Sequence, residues 1–550
     1  MPAAIMKNRW GIIVLVAAVS FFTGGWLLQR GVASDGNVYQ QARLFDDVLH
    51  HVHDYFVDSL GESELYQRAT TGMLEGLKDP YSVLLQGEDF QRLTEQTTGN
   101  YGGLGIQIDV RNGWITVVAP LPDTPAEAAG VLIGDQIIEV DGVSTEGWSS
   151  EKAVSVLRGG EGTSVDIKIR RAGIAESLPF NLARAVIHLR SVSPGMLMSD
   201  GVGYVGLRAV SETSADELQA EIDSLVSQGM KSMVLDLRGN PGGLLDQGVK
   251  VSDLFLDSGQ EIVSTRGRAR GSSRAYSDEA KQRWPNLPIV VLVDAWSASA
   301  SEIIAGALQD HDRALVVGVP TFGKGLVQTL FRLDDATALK LTTARWFTPS
   351  GRTIQREARD AEDQERLAQI AAAHDGEVPD SLRPEGGDTT AVPEFRTDAG
   401  RIVHGGGGIV PDMIVRADTL SDGEQAFFND LGANLAVYRD ALTSIALELK
   451  DSGTSLPESF TITPALRAQM AARLAERGVV IDPAMYQGAR SIIDDQLGYE
   501  IARYVIGRTA EVRRRAANDR QLQRALVLLE QAGSPRDLLA KVEQEAGTNP

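Results

Sequence analysis

The spacing of hydrophobic positions divides this chain into blocks of different period. Val38, Ala42, Leu44, Phe45, Val48, Leu49, Val52 and Phe56 recur at helical spacing, and so do Leu65, Ala69, Met73, Leu74 and Leu77. Two amphipathic helices are predicted there, ended by the turn Asp79-Pro80-Tyr81-Ser82. From Gly102 to about Ala185, short runs between glycine turns predict strands at 105–110, 114–118, 136–140 and 165–170, with short helices at 125–129 and 150–157. From about 200 to 345 strands alternate with helices. Strands are predicted at 202–210, 232–237, 289–293 and 314–319, and helices from 214, after 243 and over 301–308. This rhythm predicts a largely parallel sheet with functional loops at the carboxyl ends of its strands. Residues 238–243 and 296–301 fall at such ends. Residues 355–400 are polar and read as a surface insertion. Glycines 405–408 punctuate the chain before a last strand, and the pattern from about 420 onward is helical.

Composition narrows the class. A chain of 550 residues, 43% hydrophobic and 23% charged, is globular and holds about two to four domains. The net charge of −21 argues against a nucleic-acid partner, which needs a basic face. The absence of cysteine excludes disulfides and thiol catalysis. Lys7 and Arg9 precede an uncharged run over 10–28. At ~1.5 Å per residue that run nearly crosses a hydrocarbon core of roughly 30 Å. A signal anchor is therefore expected, with the N-terminus cytoplasmic and the remainder exported. Gly31-Val32-Ala33 offers a cleavage site as the alternative, giving a secreted form.

The chemistry concentrates at two predicted loops. Val293-Asp-Ala-Trp-Ser297-Ala-Ser299-Ala-Ser301-Glu302 is followed by Thr321-Phe-Gly-Lys324-Gly325. A serine hydroxyl needs an adjacent base to become a nucleophile. A lysine serves only where its surroundings leave some of the amine neutral. Small neighbours let a peptide backbone approach both. Glu302, in the first turn of the helix, suits the helix dipole. A triad through His311 would place base and orienter side by side in sequence, an awkward arrangement. Gly318 to Lys324 has phosphate-loop spacing, but Gly325 stands where a magnesium-binding hydroxyl is required. No histidine pattern has metal-ligand spacing, and no cofactor or metal is expected.

Together with Leu235-Asp-Leu-Arg-Gly-Asn-Pro-Gly-Gly243, Asp79-Pro-Tyr-Ser82 and Gly408-Ile-Val-Pro-Asp412, these segments resemble the carboxyl-terminal processing (tail-specific) proteases over roughly residues 40–416. The resemblance implies a serine endopeptidase with Ser299 as nucleophile, Lys324 as general base and Gln328 orienting the lysine. It also implies an oxyanion hole from the backbone N–H of Ala300 and of a glycine in the Gly242-Gly243 turn. Tyr101-Gly-Gly-Leu-Gly-Ile106, Pro125-Ala-Glu-Ala-Ala-Gly130 and Gly134-Asp-Gln-Ile-Ile-Glu-Val-Asp-Gly142 resemble a PDZ domain. Gly103, Leu104, Gly105 and Ile106 are expected to hold the C-terminal tail of a substrate. Arg158 aligns with an arginine that links peptide occupancy to activity in the family.

The expected architecture is α/β (α+β overall). A signal anchor and short linker occupy 1–36, a helical region 37–98 and a PDZ domain 99–185. A crotonase-like protease core with a mostly parallel sheet spans 186–416, with its surface insertion at 355–400, and a helical region spans 417–550. Expected partners are protein or peptide substrates, the inner membrane as anchoring surface, and a homodimer or adaptor protein. The expected location is the cell membrane with the catalytic domain extracytoplasmic, or periplasmic. Two alternatives are a catalytically silent PDZ scaffold and a crotonase-like acyl-transfer enzyme, the latter without a motif for its cofactor.

Overall fold

The computed structural model describes residues 38–111, 113–171, 173–198, 201–356, 393–405 and 407–548. The chain divides into two units, the first ending at Leu84. In that unit the helices Val38–Tyr55 and Glu62–Glu75 pack on one another. Leu49, Leu65 and Leu74 are buried, while Leu44, Val48, Tyr55 and Phe56 stay exposed. The Asp79 turn closes on itself, with the Ser82 hydroxyl donating to Asp79 Oδ2 at 2.5 Å. The predicted membrane-spanning run over 10–28 lies outside the described residues. Among the described residues no helix is long and apolar enough to cross a membrane.

The second unit opens with a small antiparallel sheet. Its order is Ile106–Arg111, Trp114–Pro120, Gln136–Val140, Ser164–Arg170 and Leu178–Ala183. Strict alternation along Ser164–Arg170 buries Val165, Ile167 and Ile169 against Ile115, Val117 and Ile137. The helix Ser150–Leu157 adds Ala153 and Leu157 to that core. The strand Ile106–Arg111 is the edge of the sheet.

The core sheet is built from Met196–Leu197, Val202–Gly206, Ser232–Asp236, Ile289–Val293, Leu315–Gly318 and Met413–Ile414. All neighbours run parallel except the first pair. Both faces are covered, which explains strands that are buried at every position and rich in valine. One face presents Val205, Leu235, Val291 and Val316 to Leu218, Ile222, Val251, Ile304 and Leu308. These come from the helices Ser214–Ser227, Leu245–Asp253 and Ala300–Asp310. The other face presents Tyr204, Val234, Val290 and Leu315 to Leu522, Leu526 and Leu529. Those leucines sit on the helix Arg520–Glu530.

Two features depart from expectation. A second, antiparallel sheet joins Leu326–Arg332 and Glu261–Gly267 to the long strand Thr337–Phe347, with Arg274–Ser277 outermost. Residues 394–404, which run past the expected end of the insertion at 400, form a hairpin of Glu394–Arg396 and Ile402–His404, and 357–392 lie outside the described residues. The helices beyond Asp422 also build a core of their own, around Phe427, Tyr438, Ile445, Met470, Ile493 and Leu497.

Candidate active site

The helix Ala300–Asp310 starts where the strand Ile289–Val293 has just ended, and Ser299 stands at its cap. Ser299 has φ 55° and ψ −115°, a conformation that costs a residue with a side chain about 1–3 kcal/mol. Surrounding bonds impose it. Ala298 N–H donates to the Asn240 carbonyl at 3.0 Å and Phe322 N–H donates to the Ser297 carbonyl at 3.0 Å. Ser299 N–H donates to Glu302 Oε2 at 2.7 Å.

The three alternating serines separate by environment. Ser297 and Ser301 are fully buried. The Ser297 hydroxyl donates to the Leu237 carbonyl and that of Ser301 to the Asn240 carbonyl, at 2.9 and 3.0 Å. Ser301 thus stitches the helix to the turn 238–243, and Ser297 ties the residues before the helix to Leu237, just ahead of that turn. Ser299 alone of the three is partly exposed.

Glu302 joins the serine to the lysine. One of its oxygens, Oε2, accepts from both Ser299 N–H and Lys324 N–H, at 2.7 and 2.9 Å. The other, Oε1, accepts from the Thr321 hydroxyl at 2.5 Å and from Gly323 N–H at 2.7 Å. Two backbone nitrogens bound to one oxygen atom must be neighbours, so this carboxylate fixes the lysine loop beside the serine. Burial pushes the Glu302 carboxyl above its ordinary value, although the Thr321 hydroxyl and three N–H donors oppose that shift. From the sequence Glu302 reads as an acid suited to the helix dipole and, more weakly, as a base; neither reading places it between the serine and the lysine loop. The spacing Ser299-x-x-Glu302 is a capping-box signature that pointed to half of its role.

Asn240 and its glycines form the opposite wall. A Cβ on Gly242, which has φ +89°, would lie 2.8 Å from both Ser299 Cβ and Ala300 N. One on Gly243, at φ +148°, would lie 2.0 Å from the Val210 carbonyl oxygen. Only glycine fits at either place. Gly242 N–H is already bound, donating to Asn240 Oδ1 at 2.9 Å. This corrects the expectation that either glycine serves the oxyanion. Gly243 N–H has no acceptor among the described residues, nor has Ala300 N–H at the start of its helix.

Lys324 is partly buried, and its carbonyl accepts from Trp346 Nε1 at 3.0 Å. Gln328 follows on the strand Leu326–Arg332, at a bulge between Val327 and Gln328. A bulge re-aims the side chain that follows it. The buried Nε2 of Gln328 has no hydrogen-bond partner among the described residues.

The competing readings lose their geometry. His311 caps the far end of the helix Ala300–Asp310, about 18 Å from Ser299 at the helical rise. Its two ring nitrogens face Asp398 Oδ2 and the Glu261 carbonyl. In the phosphate-loop lookalike, the N–H groups of Gly323 and Lys324 already hold the Glu302 carboxylate.

In the small antiparallel domain, Gly103 pairs with Ala185 and the buried Leu104 lends its carbonyl to Ala126 N–H. Gly105, at φ +75°, accepts from Leu121 N–H. Ile106 begins the edge strand. Arg158 pairs with Glu95 at 2.5 Å and stacks over the Tyr101 ring at 4.6 Å. Its partners thus lie on the helix Glu88–Thr98 and the strand Asn100–Gly103.

Residues 201–362 match the family model described as Peptidase family S41, and residues 116–171 match that of the PDZ domain. The chain is similar to the carboxy-terminal-processing protease of Bartonella bacilliformis, 39% identical over 354 residues that cover 62% of this chain and 81% of that protein. It is also similar to the carboxy-terminal processing protease CtpA of Bacillus subtilis, 38% identical over 345 residues, 62% of this chain and 73% of that protein. Among solved structures, the photosystem II D1 C-terminal processing protease aligns over 56% of this chain and 83% of that one, with 30% identity and a TM-score of 0.33.

Proposed function

This chain belongs to the carboxy-terminal-processing proteases of peptidase family S41, and on that premise we propose that it cuts polypeptides with a Ser299/Lys324 dyad. It is a serine-type protease with a PDZ domain. The observation that carries the dyad is the Glu302 oxygen shared by Ser299 N–H and Lys324 N–H. Burial of the other two serines in structural hydrogen bonds supports the choice of Ser299.

The neutral Lys324 amine takes the proton of Ser299 Oγ as that oxygen bonds to the scissile carbonyl carbon. The resulting oxyanion is met by Ala300 N–H and Gly243 N–H, backed by the helix N-terminus. When the carbon–nitrogen bond breaks, the departing amine takes the proton from the Lys324 ammonium. Water then attacks the acyl-enzyme and gives its proton to Lys324; as the acyl carbon–oxygen bond breaks, the Lys324 ammonium returns that proton to Ser299 Oγ and the carboxylic product leaves. Gln328 offers its amide to the lysine head group.

The PDZ edge strand Ile106–Arg111 takes the substrate's C-terminal tail by strand addition, with the loop 103–106 at its carboxylate. Export past an N-terminal anchor rests on the charged and apolar pattern of residues 7–28. Purified full-length chain with a peptide bearing a free C-terminus tests the dyad. Ser299→Ala and Lys324→Ala each abolish cleavage, and Gln328→Ala leaves a reduced rate. Wild-type turnover in either of the first two overturns the reading. Amidating the peptide's C-terminus raises KM if the tail is held as described.

A further inference from the structure

The segment beyond 417 lies outside the matched protease model, yet it binds the turn that faces Ser299. Arg238 opens that turn. Its Nε and Nη2 donate to the two oxygens of Asp236, both at 2.9 Å. Its Nη1 donates to Asp519 Oδ1 and Gln521 Oε1, both at 3.0 Å, and Nη2 lies 2.7 Å from Asp519 Oδ2. Asp236 is nearly fully buried and also accepts from the Tyr204 hydroxyl at 2.6 Å. The planar guanidinium is thus gripped on two sides, by the strand that precedes the turn and by the C-terminal region. A fork held this way fixes orientation as well as position.

The grip reaches the reacting atoms through a short stretch of backbone. After Arg238, Gly239 N–H donates to Asp294 Oδ1 at 3.0 Å, Asn240 ties the turn to the serine segment, and Gly242 abuts Ser299. Gly243 N–H is the end of that stretch. On the far side, Asp519 caps the helix Arg520–Glu530 by accepting from Leu522 N–H at 3.0 Å. Gln521 Nε2 donates to the Val415 carbonyl at 2.7 Å. The C-terminal region is also anchored on the PDZ domain. Arg111 Nη2 donates to the Tyr504 hydroxyl at 3.1 Å, and Ile133 packs into the helical core.

We propose that Asp519 is a positioning residue of the protease. By holding Arg238 it sets the Gly243 N–H for the oxyanion, which makes the C-terminal helices part of the catalytic apparatus. The inference rests on the Ser299/Lys324 reading, and the test separates the two. Asp519→Asn is the discriminating variant, because asparagine caps a helix as well as aspartate does while losing the ion pair.

In the full-length protein Asp519→Asn lowers kcat by about tenfold with KM unchanged. The rate of Ser299 labelling by a peptidyl phosphonate falls in step, the melting temperature holds, and Asp519→Glu recovers part of the loss. Wild-type kcat in Asp519→Asn, with Ser299→Ala inactive, overturns the positioning role and leaves the dyad standing. So does a loss matched by a fall in melting temperature that Asp519→Glu fails to reverse, since Asp519 then serves the fold alone. Activity in Ser299→Ala removes the dyad and this inference with it.

Discussion

The two faces of the parallel sheet end at the same turn but do different work. On one face the helix Ala300–Asp310 brings Ser299 in a strained conformation, partly exposed, with its neighbours' hydroxyls bound to the turn and to Leu237 just ahead of it. On the other the helix Arg520–Glu530 brings Asp519 with a relaxed, extended backbone and its carboxylate shared between Leu522 N–H and Arg238. Both helices present their N-termini at the carboxyl end of the strands, where the first backbone N–H groups have no partner within the helix. One face places strain and an accessible hydroxyl there. The other places only ligands for the turn. Reactivity and its scaffold are thus separated across the thickness of a single sheet.

The comparison breaks most visibly at Glu302. Its carboxylate accepts four hydrogen bonds inside the protein, two of them from the residues proposed as nucleophile and base. Glu302→Gln keeps the shape but turns an amide NH₂ toward two of those donors. Turnover of a peptide substrate is expected to fall about a hundredfold. Loss of less than threefold in steady-state kinetics removes Glu302 from any part in the dyad's geometry.

How much of this was legible follows the reach of each interaction along the chain. The serine cluster, the lysine loop and the Asn-Pro-Gly-Gly turn showed in the sequence because each needs particular residue types within a few positions. The alternation of strands and helices over 202–318 gave the parallel sheet for the same reason. Glu302 was visible as a first-turn acid, but its bonds to Thr321, Gly323 and Lys324 join segments about twenty residues apart, which no local spacing encodes. Which glycine N–H stays unpaired depends on one side-chain rotamer, that of Asn240. The strands Glu261–Gly267 and Arg274–Ser277 carry arginines and a register shift instead of clean alternation, so their hairpin was missed. Leu522, Leu526 and Leu529 announced an amphipathic helix and said nothing of the sheet it covers.

That last point is measurable. Leu308 and Leu526 are buried leucines on opposite faces of the sheet. If the far helix is as integral as the near one, Leu526→Ala lowers the unfolding free energy by about 2–4 kcal/mol, as Leu308→Ala does. Chemical denaturation of both variants checks this. A loss under about 1 kcal/mol for Leu526→Ala alone would make the C-terminal helix an appendage.

Ser301 sharpens the contrast within the near face. Its hydroxyl donates to the Asn240 carbonyl at 3.0 Å in a fully buried place. Ser301→Ala leaves that carbonyl one donor short and is expected to reduce stability by about 1 kcal/mol. Peptide cleavage continues, because the residue's part is to hold the turn. Inactive Ser301→Ala in a protein of wild-type melting temperature would move the nucleophile from Ser299.

The smallest effect lies at the rim, beyond the end of the helix Leu245–Asp253. Burial pushes the Asp278 carboxyl up to about 7, and the neighbouring Asp253 and Asp257 add to the shift while Ala280 N–H opposes it. A carboxyl raised in the folded protein binds more protons there than in the unfolded chain at intermediate pH. Its contribution to stability is therefore complete at low pH and disappears as pH rises through about 7. Asp278→Asn reproduces the neutral form at every pH. Its melting temperature should exceed wild type by about 2 °C at pH 8 and match it at pH 5. An equal gain at both values would assign the effect to packing instead of titration. Cleavage rates should not change at either pH, because Asp278 has no part in the bonds that join the serine helix's N-terminus to the turn that faces it.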